Sequence, residues 1–133
     1  DALSLFKNNG KGIKVAVLGL GFRGEVTDSR LSPTYTVVNE LLKKQCNVIV
    51  HDPYIFEDKD LPKNVILTKD LFEAISDTDL IFISADHKEY GKLNEKILKK
   101  TKKHTVVFDG RNILNENNFK NTSLLTIGKR NNF

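Results

Sequence analysis

A chain of 133 residues, of which 39% are hydrophobic and 29% charged, can bury one hydrophobic core but is too short for two. No apolar run approaches the roughly 18 residues that a membrane span needs, and no secretory signal opens the chain, which favours a cytoplasmic protein without membrane contact. The net charge of +4 suits a phosphate-bearing ligand, whereas nucleic acid is not expected because no aromatic residues interleave with the clustered lysines.

The first dozen residues differ from the rest and predict a domain boundary. Asn8-Asn9-Gly10-Lys11-Gly12 is rich in turn-forming residues. We therefore interpret residues 1–12 as the end of a preceding central helix with its linker, and residues 13–133 as one domain. Because the chain begins at Asp1 rather than at methionine, we expect a processed or truncated piece of a longer protein.

Five apolar runs follow along the chain and predict the strands. Each run is continuous rather than alternating, which is typical of strands that are covered on both faces, as in a parallel sheet between helices. The runs are residues 15–18, 48–50, 80–83, 106–108 and 124–127. We therefore expect a mainly parallel sheet of five to six strands.

The first segment between these runs has the apolar spacing of a helix, which we place at residues 33–45. Ser32 is the expected N-cap, and Pro33 the expected first helical residue. The inward face carries four apolar residues: Val37, Val38, Leu41 and Leu42.

Two further helices are predicted, at residues 69–76 and at residues 89–100. The inward stripe of the longer helix consists of Tyr90, Leu93 and Ile97. Because strands and helices alternate along the chain, we expect a doubly wound α/β fold, that is, a Rossmann-like three-layer sandwich.

The first strand runs into Gly19-Leu20-Gly21-Phe22-Arg23-Gly24, which matches the dinucleotide fingerprint G-x-G-x-x-G. With Asp52 as the acid that binds the ribose, this motif would indicate a self-contained NAD-binding domain. However, the motif should open a helix directly, and Pro33 places the helix start well beyond it. Asp52 also lies later than the roughly 20 residues usual for the motif, and it precedes Pro53, so starting a turn is its ordinary role. We favour an extended ligand loop and keep the NAD-binding domain as an alternative.

Three arginines on loops are candidates for binding a phosphate-bearing ligand, because the guanidinium group is a planar, permanently charged donor. In an open parallel sheet, ligands bind beyond the carboxyl ends of the strands, where the strand order reverses. An order of 3-2-1-4-5 for the five runs would place residues 19–32 and 109–114 at that point. We therefore expect these loops to bring three side chains together: Arg23, Arg30 and Arg111.

Four motifs resemble, in the same order, the C-terminal domain of the UDP-glucose, UDP-N-acetylmannosamine and GDP-mannose 6-dehydrogenases. The first, VAVLGLGFRGEVTDSRLSP at residues 15–33, is similar to V-x-x-L-G-x-x-F-K-x-x-T-x-D-x-R-x-S-P. The others resemble Y-D-P, T-x-H-x-E-F and D-G-R-N, and they read His51-Asp52-Pro53-Tyr54, Asp86-His87-Lys88-Glu89-Tyr90 and Asp109-Gly110-Arg111-Asn112. The resemblance covers about residues 14–128, and the ordered set is specific although each motif alone is weak.

This resemblance implies an activity that the whole protein performs. Members of the family oxidise the 6-hydroxymethyl group of a nucleotide sugar to a carboxylate with two NAD in succession. They combine an NAD-binding domain, a central helical domain that forms a dimer, and this C-terminal domain, which holds the nucleotide. The catalytic cysteine lies outside the C-terminal domain, so we expect no catalytic residue in this chain, no turnover by it alone, and a homo-oligomer for the full-length protein.

The resemblance also assigns roles to single residues. Phe22, Arg23 and Arg111 fall on positions that contact the UDP-sugar, and Arg30 falls on the arginine that reaches the NAD held by the first domain. Arg23 replaces the usual lysine, and these two side chains are not equivalent donors. The resemblance therefore does not single out one sugar, and the UDP-N-acetylmannosamine, UDP-N-acetylglucosamine and UDP-glucose types all remain open. Two smaller departures are Gly21 in place of alanine and Asp28-Ser29 in place of a pair of acids.

The remaining reactive side chains are interpreted as structural. Cys46, the one cysteine, has no cationic neighbour in sequence to activate it. His51 and His104 are expected to pack or to lie at the surface, and His87 to cap a loop, with contact to a ligand as its alternative. The histidines and aspartates show no metal-ligand spacing, so no metal is expected. A non-catalytic interaction module that has lost its ligand remains the third hypothesis.

Overall fold

The computed structural model describes residues 10–21, 33–55, 57–94, 97–98, 105–115, 119 and 124–126. The predictions for Phe22, Arg23, Arg30, Ser32 and His104 lie outside these residues. Within the described ranges, no helix is both long and apolar enough to cross a membrane.

Six strands form one sheet in which each neighbouring pair is parallel. They are β1 (Lys14–Leu18), β2 (Asn47–His51), β3 (Ile66–Thr68), β4 (Leu80–Ile83), β5 (Val106–Asp109) and β6 (Leu124–Thr126). The described helices are α1 (Thr34–Lys43), α2 (Leu71–Ile75) and α3 (Lys88–Gly91). The strand order is β3-β2-β1-β4-β5-β6. This confirms the doubly wound α/β fold.

The two faces of the sheet carry separate apolar clusters, which explains why the strands are continuous apolar runs. Val15 and Val17 of β1 pack with Val38 and Leu41 of α1 on one face. On the other face, side chains of β1 and β4 pack with those of α2 and α3, and the cluster includes Ala16, Leu18, Ile81, Ile83, Leu71, Ala74, Ile75 and Tyr90. Successive side chains of a strand point to opposite faces. In a strand that is covered on both faces every side chain is therefore buried, which favours apolar residues at successive positions.

The predicted neighbour of the first strand is wrong. The run 80–83 was expected at the outside of the sheet, but β4 pairs directly with β1, with Val15 opposite Leu80. The outer position belongs to β3, which the sequence analysis missed because it has only three residues and its Ile66 is 58% exposed. The strand order therefore reverses between β1 and β4, and the loop after β4 flanks the crevice. The loop 109–114 follows β5, one strand further away.

Two helix boundaries also differ from the prediction. The first helix begins at Thr34, and Pro33 takes the N-cap position without a side-chain hydrogen bond. The helix predicted over residues 89–100 is interrupted, because α3 ends at Gly91 and Asn94 accepts a hydrogen bond from the backbone N–H of Ile97, as a capping residue does. Tyr90 and Leu93 are nevertheless buried as predicted, at 0% and 2% exposure.

Candidate functional site

Three loops meet at the carboxyl edge of the sheet, where β1, β4 and β5 end side by side. They are the glycine loop (described for residues 19–21), the β4 loop (residues 84–87) and the β5 loop (residues 110–114). In open parallel sheets this edge, next to the reversal of strand order, is the usual ligand site.

The glycine loop starts with a residue that must be glycine. Gly19 has a φ of +106°, a backbone conformation that residues with a side chain rarely adopt, and a Cβ built on it would overlap the Cβ of Ala85. Its N–H donates to the carbonyl of His51 over 2.7 Å. The glycine loop therefore leaves β1 in direct contact with the β4 loop and with the end of β2.

Asp52 holds the glycine loop in place from the interior of the domain. One carboxylate oxygen accepts hydrogen bonds from the N–H groups of Leu20 (3.0 Å) and Gly21 (3.1 Å). The other accepts from Tyr54 (2.8 Å) and Ile55 (3.0 Å), which confirms that Asp52 starts a turn. The side chain is fully buried.

This geometry does not support the alternative of a self-contained NAD-binding domain. In the dinucleotide fingerprint, the loop amides face the pyrophosphate and the acid faces a ribose hydroxyl. Here the amides of Leu20 and Gly21 donate to the acid itself, and Asp52 does not reach the surface. Gly24, the third glycine of the motif, lies outside the described residues.

His87 lies beneath the loops rather than at the crevice surface. It is 1% exposed, and its Nε2 is 3.5 Å from the Asp52 carboxylate. Its ring packs against the rings of Tyr54 and Tyr90, with centroid distances of 5.5 Å and 5.3 Å. Burial by itself raises the pKa of Asp52, but the adjacent imidazole of His87 and the hydrogen bonds from the amides of Tyr54, Gly21 and Leu20 outweigh it, so the pKa is lowered and the carboxylate is ionised. His87 thus supports the loop, and its burial argues against contact with a ligand.

His51 is also a packing residue, as expected. Its Nδ1 is 2.7 Å from the hydroxyl of Tyr90, and its Nε2 is 3.1 Å from the carbonyl of Lys69. Burial lowers its pKa more than the neighbouring acids Glu89 and Asp52 raise it. The ring therefore joins β2, the segment between β3 and α2, and α3 in the interior of the domain.

A buried aspartate holds the β5 loop in place, as Asp52 holds the glycine loop. The buried carboxylate of Asp109 accepts from the N–H groups of Arg111 (3.1 Å), Ile113 (2.8 Å) and Leu114 (2.8 Å). Gly110 donates to the carbonyl oxygen of Ile83 over 3.0 Å, and a Cβ on Gly110 would lie 2.6 Å from that oxygen. The loop is thus closed tightly over the end of β4, with Arg111 on its outer side.

Arg111 is the predicted substrate residue that the structure describes. Its side chain is 34% exposed, and its Nη2 lies 3.9 Å from the carboxylate of Asp86 in the β4 loop. Phe22, Arg23 and Arg30 follow the glycine loop but lie outside the described residues. That the three arginines meet at the crevice therefore stays a prediction, and the structure describes Arg111 alone of the three.

Sequence reasoning missed two side chains that join the loops. The Thr34 hydroxyl donates to the carbonyl of Gly19 (2.8 Å) and lies 2.6 Å from the hydroxyl of Ser84. Both hydroxyls are buried and connect the start of α1, the glycine loop and the β4 loop. The signal in the sequence was weak, because Thr34 follows the expected helix start and Ser84 follows an apolar run without any motif.

The opposite, amino edge of the sheet contains the cysteine and a cavity. Cys46 is buried, its Sγ is 3.5 Å from the carbonyl of Gly10, and burial raises the pKa of its thiol, so the structural interpretation is confirmed. The cavity has a volume of about 390 Å³, and its lining includes Lys14, Asn47, Ile66 and Glu73. Among the described residues, His, Cys, Asp and Glu form no group of three or more that could hold a metal ion.

The sequence over residues 16–116 matches the UDP binding domain of the UDP-glucose/GDP-mannose dehydrogenase family. A UDP-N-acetyl-D-mannosamine dehydrogenase of Methanococcus aeolicus is 30% identical over 123 residues, which cover 87% of this chain and 27% of that protein. UDP-glucose 6-dehydrogenase 2 of Arabidopsis thaliana is 32% identical over 126 residues, covering 77% of this chain and 26% of the relative.

Solved structures show the same relationship. The NDP-N-acetyl-D-galactosaminuronic acid dehydrogenase of Methanosarcina mazei superposes with a TM-score of 0.83 at 31% identity, over 90% of this chain and 25% of that one. A UDP-N-acetyl-mannosamine dehydrogenase of Staphylococcus aureus gives a TM-score of 0.73 at 26% identity, over 93% of this chain and 27% of that one. The chain thus spans about a quarter of the length of these relatives.

Proposed function

Because this chain belongs to the UDP-glucose/GDP-mannose dehydrogenase family and matches its UDP-binding domain, we propose that it is the nucleotide-sugar-binding domain of an NAD-dependent UDP-sugar 6-dehydrogenase. The whole protein would oxidise the C6 alcohol of the sugar to a carboxylate. The observation that carries the proposal is Arg111, which a loop locked by the buried Asp109 holds at the carboxyl edge of the sheet. The relatives act on several UDP-sugars, and the proposal covers the UDP-N-acetylmannosamine, UDP-N-acetylglucosamine and UDP-glucose types.

The site would bind the nucleotide through its diphosphate. Arg111 offers a planar, charged donor group that matches phosphate oxygens. Phe22 and Arg23 continue directly from the glycine loop, whose start is fixed by Asp52, and we propose that they contact the nucleotide sugar from the other side of the crevice. Loops that are ordered before binding lose less conformational entropy when the ligand arrives.

The proposal assigns the redox chemistry to the rest of the protein. NAD would accept the hydride, and it would be bound mainly by another domain, with Arg30 of this chain reaching it. The glycine loop does not fit NAD, because the amides of Leu20 and Gly21 are already bonded to Asp52. Cys46 does not fit the nucleophile, because it is buried at the amino edge and its pKa is raised. The chain alone would therefore bind a nucleotide but turn over nothing.

Isothermal titration calorimetry with UDP and with NAD tests the proposal. We expect the 133-residue chain to bind UDP weakly, with a Kd on the order of 0.1 mM or above because the proposal places further ligand contacts on the other domains, and to give no heat with NAD. UMP, which lacks the second phosphate, should bind less well than UDP. Heat with NAD but none with UDP would contradict the proposal and favour the alternative of a self-contained NAD-binding domain. No heat with either ligand would favour the non-catalytic interaction module.

A further inference from the structure

Asp86 is an acidic residue at the centre of a site that we expect to bind an anion. It follows Ala85, which packs against Gly19, so it lies in the loop between the glycine loop and the β5 loop. Its side chain is 47% exposed, unlike those of the two aspartates that fix the neighbouring loops, which are fully buried. Of the aspartates described in these three loops and at the ends of their strands, Asp86 is therefore the exposed one, which a ligand at this edge would meet.

The Asp86–Arg111 pair is too long to saturate the arginine. The 3.9 Å between Nη2 and Oδ2 exceeds the roughly 2.8 Å of a charge-assisted hydrogen bond, and a guanidinium group has five N–H donors. A phosphate oxygen that accepted a hydrogen bond from Nη2 would lie within about 7 Å of the Asp86 carboxylate. Asp86 attracts the arginine and repels the ligand that the arginine binds.

We infer that Asp86 determines the charge preference of this site, so that nucleotide sugars are favoured over free nucleoside diphosphates and triphosphates. The inference rests on the proposed function. A free terminal phosphate has a second pKa of about 6, so UDP carries about one more negative charge than a UDP-sugar at neutral pH, and UTP carries about two more. Each added charge is repelled by Asp86, at a cost of about three- to tenfold in affinity for a half-exposed carboxylate at this distance.

The test compares Asp86→Asn with the unmodified 133-residue chain. Calorimetry in magnesium-free buffer would measure the affinities for a UDP-sugar, UDP and UTP. We expect Asp86→Asn to improve the affinity for UDP relative to the UDP-sugar by about threefold or more, and for UTP by more again. A less ordered Arg111 would weaken the more highly charged ligands at least as much as the UDP-sugar, so it cannot produce the expected increase in these ratios. The effect should nearly vanish in 1 M salt, where the Debye length is about 3 Å.

Glu40→Gln is the matched control. Glu40 pairs with Lys43 at 3.4 Å and is 59% exposed, but it lies in the second half of α1, towards the amino edge. Removing this charge should leave the ligand ratios unchanged. Equal affinity changes for all three ligands in Asp86→Asn, or an equal ratio change in Glu40→Gln, would overturn the inference. If the unmodified chain bound neither UDP nor the UDP-sugar, the proposed function itself would fall.

Discussion

Replacement of Asp52 by asparagine is expected to destabilise the domain by about 2–5 kcal/mol, because two buried N–H groups lose their acceptor. In the native protein one carboxylate oxygen serves Leu20 and Gly21, and the other serves Tyr54 and Ile55. An asparagine amide keeps one accepting oxygen and turns an N–H₂ group towards the other pair of donors. Chemical denaturation monitored by circular dichroism would measure the loss.

Asp70→Asn is the matched control for this prediction. Asp70 also accepts two backbone hydrogen bonds, from Phe72 and Glu73, but it does so at the exposed N-cap of α2. Asparagine is as good an N-cap as aspartate, so this variant should lose little stability. Similar losses in Asp52→Asn and Asp70→Asn would show that burial of the Asp52 carboxylate does not matter.

The difference between Asp52→Asn and the native protein should depend on pH. The pKa of Asp52 is lowered in the folded state, so its ionised carboxylate contributes stability that is fully present above the unfolded value of about 3.9. This contribution is lost as the pH falls through the lower folded pKa. The two unfolding free energies should therefore differ at neutral pH and approach each other in strong acid, and a difference that grew on acidification would contradict the assignment.

Replacement of Arg111 by glutamine is expected to weaken UDP binding by about ten- to a hundredfold, which corresponds to the loss of one or two charged hydrogen bonds. Arg111→Lys should fall in between, because lysine keeps the charge but not the planar fork. The thermal midpoint should change little, since the loop is held by the main chain through Asp109 and not by the Arg111 side chain. Calorimetric titration of both variants with UDP measures these effects.

Lys43→Gln provides the control for the Arg111 variants. Lys43 ends α1 and pairs with Glu40, so its removal changes the net charge without touching the carboxyl edge. We expect its UDP affinity to equal that of the native chain. If Arg111→Gln and Lys43→Gln had the same affinity, the contribution of Arg111 would be general attraction by net charge rather than a contact.

The core of the fold could be predicted because burial on both faces leaves a clear mark in the sequence. Residues 15–18 of β1 and all of β4 are unbroken apolar runs, and each of these strands lies between two others in the sheet. The strand β3 differs in both respects, because it lies at the edge of the sheet and has only three residues, of which Ile66 is exposed. Missing it led to the wrong neighbour for β1, because strand order depends on pairing between distant segments and not on local pattern.

The site could be predicted in part. Arg111 was placed at the carboxyl edge by the motif and by the fold. The turn that Asp52 starts was expected, but its bonds to the glycine-loop amides and the role of Asp109 could not be deduced, because the same residue types at strand ends can bind a ribose, a metal or the protein's own backbone. Only the structure shows that both carboxylates point inward, where burial requires that they be hydrogen-bonded.

A titration of the ¹⁵N-labelled 133-residue chain with UDP, followed by two-dimensional NMR, tests most directly where the nucleotide binds. We expect the largest shift changes in the amides of residues 19–23, 84–87 and 109–114, and little change at Lys14, Asn47 and Ile66 around the cavity on the amino edge. Shifts confined to the amino edge, with the signals of Arg111 and its loop unmoved, would contradict the assignment of the carboxyl edge as the nucleotide site.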